Sequence, residues 1–346
     1  IGLPFLPNYI DGQFKVKTRL TPYDELTVMA LAGVDRMELN TDLAGEDEGS
    51  DYILSYLPKI EQETFTVGAS YRHYAGRHVQ TYVLSHNYLN DKNLKYRNND
   101  ESTEENLTLR LRSTEQKTTF RAENMTTLSG GWTLKEGAEL NYMDYTDQLV
   151  LTGALNDIGE ALTENVPNSY RMGIELMLGI KPCKWFQWDI NATWSKNRIK
   201  NFVENIPIYD GWNLLDIVSV SHKSTRIAFS PDFLLNNRFA FTYQGFEAAL
   251  QSQFVGKQYM TNAEVEALTL DKYFVSNLNL AYTFKPRKVV KEVTLGVTVY
   301  NLFNEEYENN GWASSSYDKD VNHRINSAGY AAQAGTNVMG HVSFRF

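Results

Sequence analysis

The side chains best suited to recognition chemistry are aromatic rings set in otherwise polar stretches. They are Tyr209 and Trp212 within Ile206 to Ser221, and Trp312, Tyr317 and His323 nearer the C-terminus. A ring of this kind offers a rigid apolar face beside hydrogen-bonding groups, which suits holding a bulky solute without reacting with it. His323 is also of the type that ligates haem iron, but it stands alone and reads as a loop residue. Asp42, Glu46, Asp47, Glu48 and Asp51 gather carboxylate oxygens of the kind calcium takes. They lack the ordered spacing of a calcium loop, so a solvated acidic loop is expected over residues 42–51.

Covalent and acid–base chemistry find no foothold. The sequence has no nucleophile elbow, no phosphate-cradling glycine loop before a helix, and no histidine pair at metal-binding helical spacing. Asp189 and Glu175 alternate with apolar neighbours, so they read as groups on a wet face paired with Arg171 or lysines rather than as catalysts. Cys183 is the single cysteine and reads as a turn residue in Lys181-Pro-Cys-Lys184, with no disulfide framework or thiolate cage. No catalytic residue, metal site or cofactor is expected, and the chain is not expected to be an enzyme.

The elements that must position the aromatic candidates are long amphipathic strands. Val293, Leu295, Val297 and Val299 share one face of a strand, with Thr294, Gly296 and Thr298 on the other. Val342, Phe344 and Phe346 alternate with His341, Ser343 and Arg345 in the same way. A face carrying Arg345 and His341 must be wet. Either the apolar face packs inside a protein, or it meets lipid while the polar face lines a lumen. Upstream, similar alternation occupies Phe14 to Leu20, Glu25 to Arg36, Phe65 to Arg72, His78 to Leu89, Glu104 to Leu128 and a stretch reaching Val150. It continues from Arg171 to a turn at Pro182, then over Phe186 to Ser195, Phe239 to Tyr243, Phe246 to Val255 and Asn277 to Phe284, with Lys285 to Lys288 as the last tight turn. About thirteen strands result, joined alternately by short turns and long connections, as in an outer-membrane barrel. The long connections fall near residues 37–60, 90–103, 151–167, 204–221, 258–271 and 304–336. All are placed on the extracellular side.

Composition agrees. The 346 residues contain 21 Tyr and 17 Phe, enough for interfacial girdles. Mean hydropathy is −0.42, and no apolar run approaches the ~18 residues of a spanning helix. A net charge of −9 argues against a nucleic-acid partner, because phosphate binding needs a basic surface. The opening Ile1-Gly-Leu-Pro-Phe-Leu-Pro lacks the charged and apolar regions of a signal peptide, so a mature form or a fragment is expected.

Tyr300-Asn-Leu-Phe-Asn-Glu-Glu-Tyr307, followed by Gly311 and a strand closing on Phe346, resembles the C-terminal signature of TonB-dependent outer-membrane receptors. Tyr142 to Gly153, Asn168 to Glu175, Asn191 to Arg198, Phe254 to Tyr259 and Leu280 to Pro286 look like Bacteroidetes-type members. The resemblance implies an all-β fold: a transmembrane antiparallel β-barrel, part of a plugged barrel of about 22 strands. Residues 1–346 would then be barrel alone, with the plug and some strands outside this chain. Trp132 to Glu139 resembles a mid-barrel segment and Tyr142 to Gly153 a later one, so strands are expected to be missing between them. The implied function is TonB-dependent import of a scarce, bulky solute across the outer membrane, most often a ferric siderophore or similar metal chelate. Cobalamin, haem, glycans and peptides are the other ligand classes. Implied partners are outer-membrane lipid, the TonB complex acting through a plug absent from this chain, and a small-molecule or metal-chelate ligand, with a surface lipoprotein as a further one. A passive porin-like channel and a soluble β-rich binding protein are the competing readings.

Overall fold

Alternating side chains make each segment amphipathic as a strand, and the computed structural model pairs these segments in chain order. It describes residues 2–156, 159–286 and 289–346. The strands are β1 (Phe5–Thr21), β2 (Asp24–Leu39), β3 (Lys59–Ala75), β4 (His78–Tyr96), β5 (Leu107–Thr127), β6 (Thr133–Leu155), β7 (Ala161–Cys183), β8 (Phe186–Asp210) and β9 (Asn213–Arg226). They continue as β10 (Phe233–Tyr243), β11 (Phe246–Val255), β12 (Gln258–Tyr259), β13 (Thr269–Leu270), β14 (Tyr273–Phe284), β15 (Glu292–Tyr300), β16 (Glu308–Asp318), β17 (Arg324–Ala332) and β18 (Asn337–Arg345). Among the described residues one α-helix, α1 (Glu48–Tyr56), lies between β2 and β3. The main path of the sheet is β1-β2-β3-β4-β5-β6-β7-β8-β10-β11-β14-β15-β18, antiparallel at each step. These thirteen are the strands whose alternation is legible in the sequence.

Register puts like beside like. Val16, Val28, Ala69, Leu84, Phe120, Leu140, Ile174, Trp194 and Phe233 form one row across β1 to β8 and β10. Leu134, Ile180, Trp188, Phe239, Leu250, Leu278, Val299 and Val338 form a second across the C-terminal half. On the opposite face Ser85, Thr119, Asn141, Gly173 and Ser195 stand together. Leu84, Ile174 and Trp194 keep 56%, 46% and 49% of their surface free, so no protein layer covers the apolar face. A sandwich would bury that face against a second sheet. The chain is an all-β antiparallel sheet with an apolar exterior, the arrangement of a membrane barrel wall. No helix among the described residues is long and apolar enough to cross a membrane, which bears on helices alone.

The expected long loops are largely strand. Residues 90–96 belong to β4, 204–210 to β8 and 213–221 to β9, while β16 and β17 form a hairpin inside 304–336. Outside lipid neither face of a ribbon need be apolar, so backbone pairing continues where the two-residue hydrophobic period has stopped. β5 likewise projects at its start, where Leu107 pairs with Tyr96, rather than in its middle. The turn expected at Pro182 is at Lys184 and Trp185. Pro182 and Cys183 end β7 at a register shift, which absorbs the proline's missing N–H. Trp132 apart, the two family-like segments around residues 132–153 lie end to end on the unbroken strand β6.

The acidic stretch 42–51 is not simply loop. Asp47 caps α1, accepting from Ser50 N at 2.9 Å and Ser50 Oγ at 2.7 Å, while Glu48 and Asp51 occupy the first turn, where the helix dipole favours them. Lys95 closes the other end of α1, donating to Leu54 O at 2.6 Å, Leu57 O at 3.1 Å and Asn99 Oδ1 at 2.6 Å. Ile1, Arg287 and Lys288 of the opening segment and last turn, and residues 157–158 of the connection after β6, lie outside the described residues.

Candidate functional site

Above the apolar rows, β6, β7 and β8 continue upward and the connections fold over them. Here the chain builds its hydrophobic interior. Val150, Val166, Ile199, Phe202 and Ile227 form one buried cluster, with Ala263 packed against it. Met260, Leu268, Leu270 and Ala313 form a second, flanked by Phe229, Val265 and Ala328. Ile199 and Phe202 are three residues apart and would point oppositely in a regular strand. Asn201 between them has φ 53°, and this break in the alternation lets both face the same cluster. Gly153, at φ 93°, lets β6 approach the 256–272 connection: a Cβ there would stand 2.1 Å from Met260 O.

Polar joints fasten these layers. Asn262 is buried and accepts from Ala228 N at 2.9 Å, while its amide donates to Leu151 O at 2.9 Å and Glu164 Oε1 at 3.0 Å. Burial pushes the Glu164 carboxyl above its ordinary value, against the pull of the Asn262 hydrogen bond. Glu204 on β8 receives Arg324 of β17 at 2.5 Å and 3.4 Å, and lies 3.3 Å from His222 Nε2. The tip of β16 then pairs in parallel with the end of β8, Tyr317 beside Ile208 and Asp318 beside Tyr209.

That junction places the sequence candidates. Tyr209 and Tyr317 lie one register position apart where β8 meets β16, on opposite faces of the pairing, and Lys319 N donates to Tyr209 O at 2.8 Å. His323 is at the adjoining turn, its backbone carbonyl accepting from Asp318 N at 3.1 Å and its Nδ1 lying 3.3 Å from Asp320 Oδ1. The Asn322 backbone N–H and the His323 ring hold the Asp320 carboxyl below its ordinary value. Trp312 lies farther along β16 with its indole over Gly329, where a Cβ would meet Nε1 at 2.1 Å. Trp212 tips the β8–β9 hairpin and is fully exposed, apart from the others. Three of the five candidates therefore share one junction of the backbone, and two do not. Among the described residues no group of three or more His, Cys, Asp or Glu could hold a metal ion.

The arrangement is suited to non-covalent capture: aromatic faces at a rim, over a wet interior. Below it, side chains of β3 to β8, β10, β11 and β14 line one cavity of about 990 Å³, polar and charged groups interspersed with Val79, Met125, Met177 and Val275, which shows the sheet curling around this face. Arg72, Glu123, Lys135, Asn191 and Arg238 contribute to this wall. Asp189 pairs with Arg238 at 3.7 Å and accepts from Gln187 at 2.8 and 3.0 Å, and Glu175 accepts from Asn191 at 3.3 Å. Both are wet-face groups, but their partners are not Arg171 or lysines. Arg171 donates instead to Ser230 Oγ at 3.4 Å. Alternation marks which side chains face the interior; strand register alone decides which of them meet.

A family model described as "TonB dependent receptor-like, beta-barrel" matches residues 119–302, more than half of the 346 residues. The chain belongs to the TonB-dependent receptor β-barrel family. No curated protein sequence matches it. Among solved structures this receptor barrel is similar to the FrpB iron transporter from Neisseria meningitidis, at 11% identity and TM-score 0.49, covering 99% of this chain and 55% of that one. It is similar also to the ferric enterobactin receptor PfeA from Pseudomonas aeruginosa, at 11% identity and TM-score 0.37, covering 98% and 70%. The siderophore receptor PirA from Acinetobacter baumannii matches at 8% identity and TM-score 0.35, covering 87% and 67%. The chain thus spans about half the length of FrpB. The family is one of transporters and receptors rather than enzymes, and its barrels belong to the outer membrane.

Proposed function

We propose that this chain is the barrel part of a receptor that imports a scarce, bulky solute across the outer membrane, driven by the TonB complex. The observation that carries the reading is the family match over a sheet whose outward rows are apolar on strand after strand. In this reading residues 1–346 form one barrel domain of Bacteroidetes type. β1 and β18 each have one neighbour among the described residues, and a plug and further strands, to about 22 in all, complete the protein. The ligand class is a ferric siderophore or similar metal chelate. Tyr209, Tyr317 and His323 give the rim aromatic faces beside hydrogen-bonding groups, with Trp212 and Trp312 as outlying contacts. The chain's energy source is mechanical coupling to the TonB complex through the plug, and a surface lipoprotein is a partner at the rim.

The test is uptake of radiolabelled ferric chelates by cells expressing the full-length protein, with and without a working TonB complex. Uptake that needs TonB and falls in Tyr209→Ala/Tyr317→Ala supports the reading. Uptake equal in both strains would favour a passive channel.

A further inference from the structure

We propose that the outward face of β8, just above the apolar rows, binds the phosphate groups of an anionic lipid headgroup in the outer leaflet, using Lys196 and Lys200. The proposal rests on the outer-membrane reading above. On β8 every outward position from Phe186 to Trp194 is apolar: Phe186, Trp188, Ile190, Ala192 and Trp194. Those nine residues match the ~9–11 needed for a strand to cross a bilayer. The next three outward positions are Lys196, Arg198 and Lys200. A change this abrupt marks the edge of the hydrocarbon, and at a rise of ~3.3 Å per residue the three cations climb ~13 Å through the headgroup layer.

The cations differ in what occupies them. Arg198 is held by Glu264 at 2.6 Å, and its register partner Arg226 by Asp232 at 2.9 Å. Lys257, on the neighbouring connection, is paired with Glu266. These three acids neutralise three of the five cations. Lys196 and Lys200 are exposed and have no carboxylate within ion-pair distance among the described residues. Lys196 sits beside the exposed Met172, two register pairs above Trp194 and Ile174 and next to them on the same face, so its stem can lie on the apolar surface while its ammonium reaches the boundary. Lys200 Nζ is 5.2 Å from the centre of the ring of Tyr170, the register partner of Arg198, which draws its ammonium back toward the level of Arg198. The two free charges thus face outward at headgroup height, where phosphate is the complementary group.

The full-length protein, K196Q/K200Q and each single variant are refolded into phosphatidylcholine vesicles with and without a bisphosphorylated glycolipid. Lipid phosphate retained after detergent extraction is then measured. The native protein should retain glycolipid on the order of tenfold more than the double variant, K196R/K200R should restore retention, and inorganic phosphate should not compete. Equal retention by native and double variant, or displacement by inorganic phosphate at matched concentration, would overturn the lipid site. The single variants carry the comparison where the double variant does not insert. Protease protection and heat-modifiable migration report insertion separately: a native protein that never enters vesicles refutes the membrane reading itself.

Discussion

At the residue scale the rim is decided by a few polar contacts. Glu164 donates nothing and accepts one hydrogen bond from Asn262 in a half-buried setting that raises its pKa. A carboxyl whose folded pKa is raised stabilises the fold below its unfolded pKa of about 4.5, and that contribution is lost as pH rises through the folded value. Glu164→Gln keeps the acceptor for Asn262 and removes the charge. Its melting midpoint should exceed that of the native protein at pH 8 and match it at pH 4; a gain at both values would mean that ionisation is not the cause. Glu204→Gln removes the charge that holds Arg324 and should free the β16–β17 hairpin, at a cost of about 1–3 kcal/mol. Hydrogen exchange should then rise at Tyr317 and Asp318 and remain unchanged in β1 and β2. The aromatic candidates were legible in the sequence because rings in polar surroundings stand out. That Tyr209 and Tyr317 share one junction, while Trp212 stands apart from it, depends on a parallel pairing between residues more than a hundred positions apart.

At the element scale the wall is two-faced, and the two faces answer differently to charge. Val297 is 40% exposed, between Leu280 and Gly340 on the apolar side. Val297→Lys should cost ~2–4 kcal/mol of stability in lipid vesicles. Thr298 faces the wet side and donates to Asn279 Oδ1 at 2.8 Å, so Thr298→Lys should lose about one hydrogen bond, ~1 kcal/mol. Equal damage from both, measured by urea unfolding in vesicles, would mean that both faces are packed. Gly153→Ala tests the layer above: the left-handed backbone and the approach to Met260 O leave no place for a methyl group. A loss of about 1–3 kcal/mol is expected, with protease cutting appearing first in the 256–272 connection. Strand ends were harder to read than strand centres. Hydrophobic period marks only the part of a ribbon with one apolar face, so β4, β6, β7 and β8 outrun their legible stretches.

At the scale of the whole molecule the most buried apolar side chains lie in the rim, not in the membrane wall: Ile199 and Met260 are 0% exposed, Leu268 and Leu270 1%. In the proposed membrane placement lipid covers the wall's outward residues and water the others, whereas the rim has only itself. A gated receptor should therefore keep its rim and wall intact while passing little current. Full-length protein in a planar bilayer is expected to show no large steady conductance, and an open, persistent current would favour the passive channel. The sequence by itself determined the two faces of the thirteen main-path strands, because alternation and turn residues are local and need no partner to be read, while the family is legible only through the resemblance of segments such as Tyr300 to Tyr307. Tertiary structure alone decided the continuation of the strands beyond the lipid, the helix α1 within an acidic stretch, the partners of Asp189 and Glu175, and the joining of β8 to β16. Each of these depends on register between distant segments, or on a break such as Asn201 that redirects a side chain without changing the pattern of residue types.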